Sequence, residues 1–453
     1  MQKINNSTGE ENLLAKVAEA KTASLELASI PSETKNRALM RAAESILSKS
    51  EALIAANKKD LDAAKTLLEQ GKLSRSLVAR LKLDDSKLDE ISRMIKSVAA
   101  LEDPVGKIVY SIKMDENLDL FKLTVPFGVV ATLFEARPDA LPQIAALCVK
   151  SGNAVILKGG SEAKESNKAM HSIIAESLIK EGLPKGCTQL VEDREAVRPL
   201  LKMDGLIDLV IPRGSNEFVK YIQDNTHIPV LGHSAGICHI FVDRKADPVK
   251  AIEICNDARV QYPAACNAMK VLLIDSEVAP KLLPRIAARL KKSGVRLKCC
   301  PRAKAILESN GIAVEGATER DWGTEYLELI LPVKVVDGLD EAIAHINRYG
   351  SRHTDSILTE DSASAKMFLR MVDSSTVIHN ASTRFSDGYR YGLGAEVGIS
   401  TNKVHSRGPV GLEGLVTTKF ILLGAGQKVG DYVGNNARPF LHRRSGLEIN
   451  GRY

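Results

Sequence analysis

Of the seven cysteines in this 453-residue chain, one stands where a nucleophile is expected. Cys266 lies in Gln261-Tyr-Pro-Ala-Ala-Cys-Asn-Ala-Met-Lys270, a run of small residues that leads into the apolar stretch 271–274, which reads as a strand. A thiolate at the end of such a turn is open to a carbonyl carbon and to a cofactor. The alternative is a packing role, because free cysteines are among the most buried residue types. The other cysteines, at 148, 187, 238, 255, 299 and 300, are scattered and lack C-x-x-C or Cys/His ligand spacing. No metal site is expected from them, and a reducing cytoplasmic compartment suits them.

Three further windows carry glycine turns, two between a strand and a helical pattern and a third ahead of the apolar run 237–242. No G-x-G-x-x-G is present; instead Ile156-Leu-Lys-Gly-Gly-Ser-Glu162 puts Lys158 at the carboxyl end of a strand, where open α/β sheets bind ligands. Ser161 and Glu162 are expected to cap the helix that follows. In Ile211-Pro-Arg-Gly-Ser-Asn216, a second strand runs into Gly214 and Ser215, and the amides of the next helix start suit a phosphate. The third window is Val230-Leu-Gly-His-Ser-Ala-Gly236. Taken singly, each reads equally well as a plain connection.

The elements that must position these windows follow from periodicity. Residues 11 to about 100 carry a helical pattern, with Ser32 expected as N-cap of a run from Asn36 to Asn57. The stretch 107–125 alternates around Asp115-Glu-Asn117 and predicts a two-stranded ribbon. Short apolar runs at 127–134, 154–157, 189–191, 207–211 and 237–242 alternate with helices and imply a parallel sheet covered on both faces. The alternation restarts at 271–274, 329–336, 356–358 and 376–379, giving a second α/β unit. From 417 to 453 one apolar run precedes a Gly/Asn-rich basic tail with Arg438, Arg443 and Arg444, read either as an arm that packs on a neighbouring subunit or as a solvated terminus.

Composition narrows the function classes. A net charge of +6 spread along the chain, with aromatics at 4%, does not resemble a nucleic-acid footprint and fits anionic small molecules better. The polar N-terminus reads as no signal peptide, and no apolar run approaches the about 18 residues a membrane span needs.

Together and in order, these windows resemble the aldehyde dehydrogenase superfamily and, within it, the branch that reduces gamma-glutamyl phosphate. The likeness covers nearly the whole chain. It is carried by Phe134-Glu-Ala-Arg-Pro138, Lys150-Ser-Gly-Asn153, Ile156-Leu-Lys-Gly-Gly160, Pro212-Arg-Gly-Ser-Asn216, Val230-Leu-Gly-His233 and Tyr262-Pro-Ala-Ala-Cys-Asn-Ala-Met269. Further along it is carried by Ser351-Arg-His-Thr-Asp355, Asn380-Ala-Ser-Thr-Arg384, Gly394-Ala-Glu-Val-Gly-Ile-Ser-Thr401 and Arg407-Gly-Pro-Val-Gly411. The resemblance implies two Rossmann-like α/β domains plus a small oligomerisation ribbon and arm. Residues 1–106 and 126–243 would bind NADPH, 244–416 would form the catalytic domain, and 107–125 with 417–453 would form the ribbon and C-terminal arm. Cys266 matches the family nucleophile, Lys158 the lysine at the adenosine ribose or its phosphate, and Glu328 the glutamate on the nicotinamide ribose. The Gly159, Ser161, Gly214 and Ser215 turns would complete the cofactor site. Arg137, Arg213, His353 and Arg384 are the candidates for the substrate's phosphate and carboxylate.

Two departures bear on the chemistry. Aldehyde oxidisers of the superfamily place a glutamate, the base for thioester hydrolysis, where this chain has Val230, and an isopropyl group accepts no proton. Where the superfamily often supplies a side-chain amide to the oxyanion, this chain has Glu135, which leaves the Cys266 amide and an unidentified second donor. The implied activity is a glutamate-5-semialdehyde dehydrogenase: NADPH-dependent reduction of gamma-glutamyl phosphate through a cysteine thioester, in L-proline biosynthesis. A homo-oligomer and a transient contact with a glutamate kinase are expected, with no nucleic-acid or membrane partner. The alternatives are an aldehyde-oxidising dehydrogenase of the same fold and a non-catalytic scaffold that retains it.

Overall fold

Runs of apolar residues without polar alternation build two parallel sheets, each buried on both faces. The computed structural model describes residues 2–73, 75–135, 137–193, 195–232 and 235–446. The first sheet orders its strands Thr188–Leu190, Ala154–Lys158, Val129–Phe134 and Leu209–Arg213. Helices on both faces cover it, among them Gln2–Leu27 on one side and Ala140–Lys150 on the other, which give it two apolar clusters. The second sheet has seven strands, in the order Glu315–Gly316, Arg296–Cys299, Ile330–Val336, Met269–Asp275, Cys238–Val242, Thr354–Leu358 and Thr376–His379. All its pairings are parallel.

The strand Cys238–Val242, expected to close the first unit, instead lies at the centre of the second sheet between Met269–Asp275 and Thr354–Leu358. The chain leaves the first sheet at Val230, which bridges Val210, so the crossing between sheets runs through the window that follows Val230. His233 of that window and Ala136 of the Phe134 window lie outside the described residues. Period alone could not assign this strand, since a fully buried strand looks the same in either sheet.

The expected ribbon is a hairpin, Ile108–Asp115 with Leu118–Pro126, turned at Asn117, whose φ of 59° is in the left-handed region that asparagine tolerates. The C-terminal arm folds back on this ribbon in its own chain: Val416–Leu423 pairs with Leu118–Pro126, and Arg443–Ser445 with Ile108–Asp115. Residues 447–453 of the expected arm lie outside the described residues.

Two capping expectations are corrected. The run from Asn36 to Asn57 is two helices, Ser32–Ser48 and Ser50–Glu69, and Ser32 is the first helical residue behind a Pro31 that makes no side-chain cap. The helix Lys164–Lys180 is not capped by Ser161 or Glu162, which form a short 3-10 turn. Its free amides at Glu165 and Ser166 are met by the carboxylate of Asp60 at 3.1 and 2.8 Å, reaching over from Ser50–Glu69. A carboxylate at a helix start is favoured by the unpaired amides and the helix dipole.

Candidate active site

Cys266 stands on the turn that enters the strand Met269–Asp275, and among the described residues, which include every cysteine, it is the one that is part-exposed. The other six are buried. Burial pushes the Cys187 and Cys299 thiols up to about 12 and those of Cys148, Cys238 and Cys255 upward as well, so they stay protonated and unreactive. Gly236, in the segment that crosses between the sheets, packs directly on the Cys266 turn: a Cβ there would lie 2.6 Å from Cys266 Cα and 2.7 Å from its Cβ. The N–H of Cys266 makes no hydrogen bond among the described residues and remains available to an oxyanion.

Two fully buried cations organise the segments around this turn. Lys270 Nζ donates to the carbonyls of Pro263, Ala265 and Ala268 at 3.2, 2.7 and 3.4 Å. Arg259 donates to Met269 O at 2.9 Å, to Tyr326 O at 3.2 Å and to the carbonyl of Glu328, whose side chain is exposed. Thus one cation holds the backbone that carries Cys266 and the other holds the backbone that carries Glu328. Neither was singled out from sequence, though a lysine opening an otherwise apolar strand was the available signal.

Arg213 and Arg384 lie near enough to Cys266 for a negative charge on its sulfur to favour their protonated forms. Arg213 ends the strand Leu209–Arg213 and donates to Gln143 Oε1 at 3.1 Å; burial pulls it down to about 10, with Arg137 adding to the effect and Glu396 opposing it. Arg384 is 9% exposed, donates to Gln261 Oε1 at 2.8 Å and lies 5.9 Å from the Tyr262 ring centre. Arg137 is exposed and paired to Asp139 at 3.4 Å. Glu396, within the quoted Gly394 window but not singled out, accepts from Gly388 N at 2.8 Å, and burial raises its carboxyl against the pull of Arg213.

His353 is not placed to touch a substrate. It is fully buried, with Nδ1 2.9 Å from the Thr354 hydroxyl and 3.7 Å from Cys238 Sγ. Cys238 in turn donates to the carbonyl of Cys266 at 3.2 Å, so His353 stands behind the Cys266 turn. The reason is its register: it immediately precedes the buried strand Thr354–Leu358.

At the first sheet, Lys158 is 6% exposed at the end of its strand and donates to Gly159 O at 2.6 Å, while Ser161 is exposed. A cleft there is lined by Gly159, Gly160, Lys164, Asn167, Val191 and Glu192. Gly159 leaves no room for a side chain against Asn167 and Phe134, and Asn167 Oδ1 is buried without a partner. At the second turn Ser215 caps Asn216–Asp224 by accepting from Phe218 N at 3.3 Å, and a Cβ at Gly214 would lie 2.8 Å from the carboxyl carbon of Glu135. At both turns the glycine keeps the backbone open beside side chains that an added Cβ would push aside, and the orphaned amide oxygen of Asn167 fits a cofactor's hydroxyl or amine.

Two parallel sheets, an antiparallel ribbon and a part-exposed cysteine at the entry of a central strand define an aldehyde dehydrogenase-like α/β fold. The aldehyde dehydrogenase family matches residues 2–298. A gamma-glutamyl phosphate reductase of Methanosarcina acetivorans is 52% identical, over 97% of this chain and 99% of its own. The crystal structure of the Thermotoga maritima gamma-glutamyl phosphate reductase superposes with a TM-score of 0.87 at 39% identity, covering 92% of this chain and 99% of that one. An engineered glycolyl-CoA reductase with bound NADP+ shares the fold at 16% identity and a TM-score of 0.62, covering 90% of this chain and 96% of its own. The chain belongs to the aldehyde dehydrogenase family and, within it, to the gamma-glutamyl phosphate reductases.

Proposed function

We propose that this chain reduces gamma-glutamyl phosphate to glutamate-5-semialdehyde with NADPH, releasing inorganic phosphate, as a step of L-proline biosynthesis. The observation that carries the reading is Cys266, a part-exposed thiol among buried ones, with an unbonded amide and with Arg213 and Arg384 in electrostatic reach. The names of the relatives in Methanosarcina acetivorans and Thermotoga maritima support the substrate.

The Cys266 thiolate attacks the acyl carbon; a C–S bond forms, the bond from carbon to the phosphate oxygen breaks, and phosphate leaves with the electron pair. NADPH, when bound, supplies the hydride that reduces the thioester carbon. The Cys266 N–H donates to the substrate oxygen as charge collects on it, and collapse of that oxyanion returns the pair to Sγ and frees the aldehyde. Arg213 and Arg384 hold the carboxylate and phosphate, Arg137 adds charge at the mouth, and Glu396 faces the α-ammonium. Lys158 and Ser161 receive the 2'-phosphate of the cofactor, Gly159, Gly214 and Ser215 admit its backbone, and Glu328 takes the nicotinamide ribose hydroxyls.

The antiparallel sheet exposes Val109, Phe420 and Leu422, an apolar face suited to a second copy of the chain. A glutamate kinase in the same cytosol supplies the labile acyl phosphate through transient contact. Among the described residues no helix is long and apolar enough to cross a membrane.

The test runs the reaction backwards. NADP reduction with glutamate-5-semialdehyde should require inorganic phosphate or arsenate, because Val230 provides no base to direct water at the thioester. Oxidation that proceeds equally well without either anion would overturn the reading in favour of an aldehyde oxidiser.

A further inference from the structure

Lys270 is 0% exposed, yet its ammonium is surrounded by backbone oxygen: the carbonyls of Pro263, Ala265 and Ala268 converge on it from both sides of Cys266. The shortest of these contacts, 2.7 Å to Ala265 O, is made to the peptide unit that joins Ala265 to Cys266. The described residues contain no cis peptide. In a trans peptide the C=O and N–H point in opposite directions. Lys270 and the Ala268 N–H, which donates to the same oxygen at 3.1 Å, fix the Ala265 carbonyl inward and so turn the Cys266 N–H away from the interior, where it makes no hydrogen bond among the described residues. A charged donor on the carbonyl also polarises the amide and strengthens it as a donor.

We propose that Lys270 is the positioning residue of the oxyanion site: through the Ala265–Cys266 peptide it aims and strengthens the Cys266 N–H that receives the negative charge of the reacting carbonyl oxygen. Lys270 touches neither substrate nor cofactor. The inference rests on Cys266 being the nucleophile. It also predicts a pH response, since burial pulls the Lys270 ammonium down to about 8. The groups facing it are the carboxylate of Glu325 and the sulfurs of Cys238 and Cys266, whose negative charge holds the proton on wherever they are ionised, and the guanidinium of Arg259, which drives it off.

Two reactions of one sulfur separate this role from plain structural support. Alkylation by iodoacetamide needs only the thiolate. Acylation by p-nitrophenyl acetate forms a C–S bond, breaks the ester C–O bond and releases p-nitrophenolate with the electron pair, passing through an oxyanion. In Lys270→Met the acylation rate at Cys266 should fall about tenfold or more beyond any change in alkylation, less than the loss of a whole oxyanion donor. In the native protein the acylation-to-alkylation ratio should decline as pH rises through about 8, because thiolate formation cancels and Lys270 deprotonation does not. A ratio flat from neutral pH to about pH 10 overturns the proposal even if Lys270→Met fails to fold. Full turnover by Cys266→Ser would instead overturn the nucleophile itself, whatever Lys270 does.

Discussion

Gly236 and Cys266 meet closely although they lie thirty positions apart, across a strand and a helix: a Cβ at 236 would stand 2.6 Å from Cys266 Cα. The neighbour is main chain, so it cannot swing aside. Gly236→Ala should push the nucleophile's turn out of position, lowering kcat by tenfold or more and costing about 1–3 kcal/mol of stability, as overpacking typically does. Steady-state kinetics beside thermal melts check this, and a variant with native kcat would mean that the turn relaxes freely.

Cys266→Ser should abolish turnover with NADPH binding nearly intact, since a hydroxyl is a far poorer nucleophile and leaving group than a thiolate. Ala at Cys148, Cys187, Cys255, Cys299 or Cys300, all buried, should leave kcat within a few-fold even where melting falls. An essential role in turnover for any of these five would remove Cys266 from its place.

Ser161 is exposed three residues past Lys158, where a carboxylate would repel a 2'-phosphate. Ser161→Glu should reduce kcat/KM for NADPH much more than for NADH; close like charges cost several kcal/mol. The ratio of the two efficiencies is the readout, and an unchanged ratio would show that this turn does not read the phosphate.

Glu396 is expected to recognise the α-ammonium of the substrate. Glu396→Gln should raise KM for glutamate-5-semialdehyde about tenfold while leaving NADP binding alone, and should narrow the preference over glutarate semialdehyde, which lacks the amine. Equal losses on both aldehydes would point to a structural role beside Arg213.

Acid should destabilise the fold through His345, which burial drives down to about 3, with His239, Lys334 and Arg348 adding to the effect. Unfolded, the ring takes a proton near its ordinary 6.5, so between pH 6.5 and about 3 the unfolded chain binds more protons and stability falls as pH falls. The slope approaches about 1.4 kcal/mol per pH unit in that window. His345→Phe keeps an aromatic ring against Trp322 and Tyr349 and should move acid unfolding to lower pH. An unmoved midpoint would assign the acid limb to other groups.

Local pattern carried much of this molecule. The small-residue turn at Cys266, the glycine turns after Lys158 and Arg213, and the hairpin at Asn117 are all short-range signals, because turn chemistry and side-chain period are written within a few residues. The match of the quoted windows to a family carried the fold. Tertiary structure alone decided which sheet takes Cys238–Val242, because parallel pairing is made with strands far along the chain and a buried apolar run carries no address. It likewise decided that Asp60 rather than Ser161 or Glu162 caps Lys164–Lys180, that His353 is sealed behind Cys238, and that Lys270 turns inward to the carbonyls around Cys266. In each case the partner is a polar group that folding would otherwise bury unsatisfied, and which one is within reach depends on how distant segments meet.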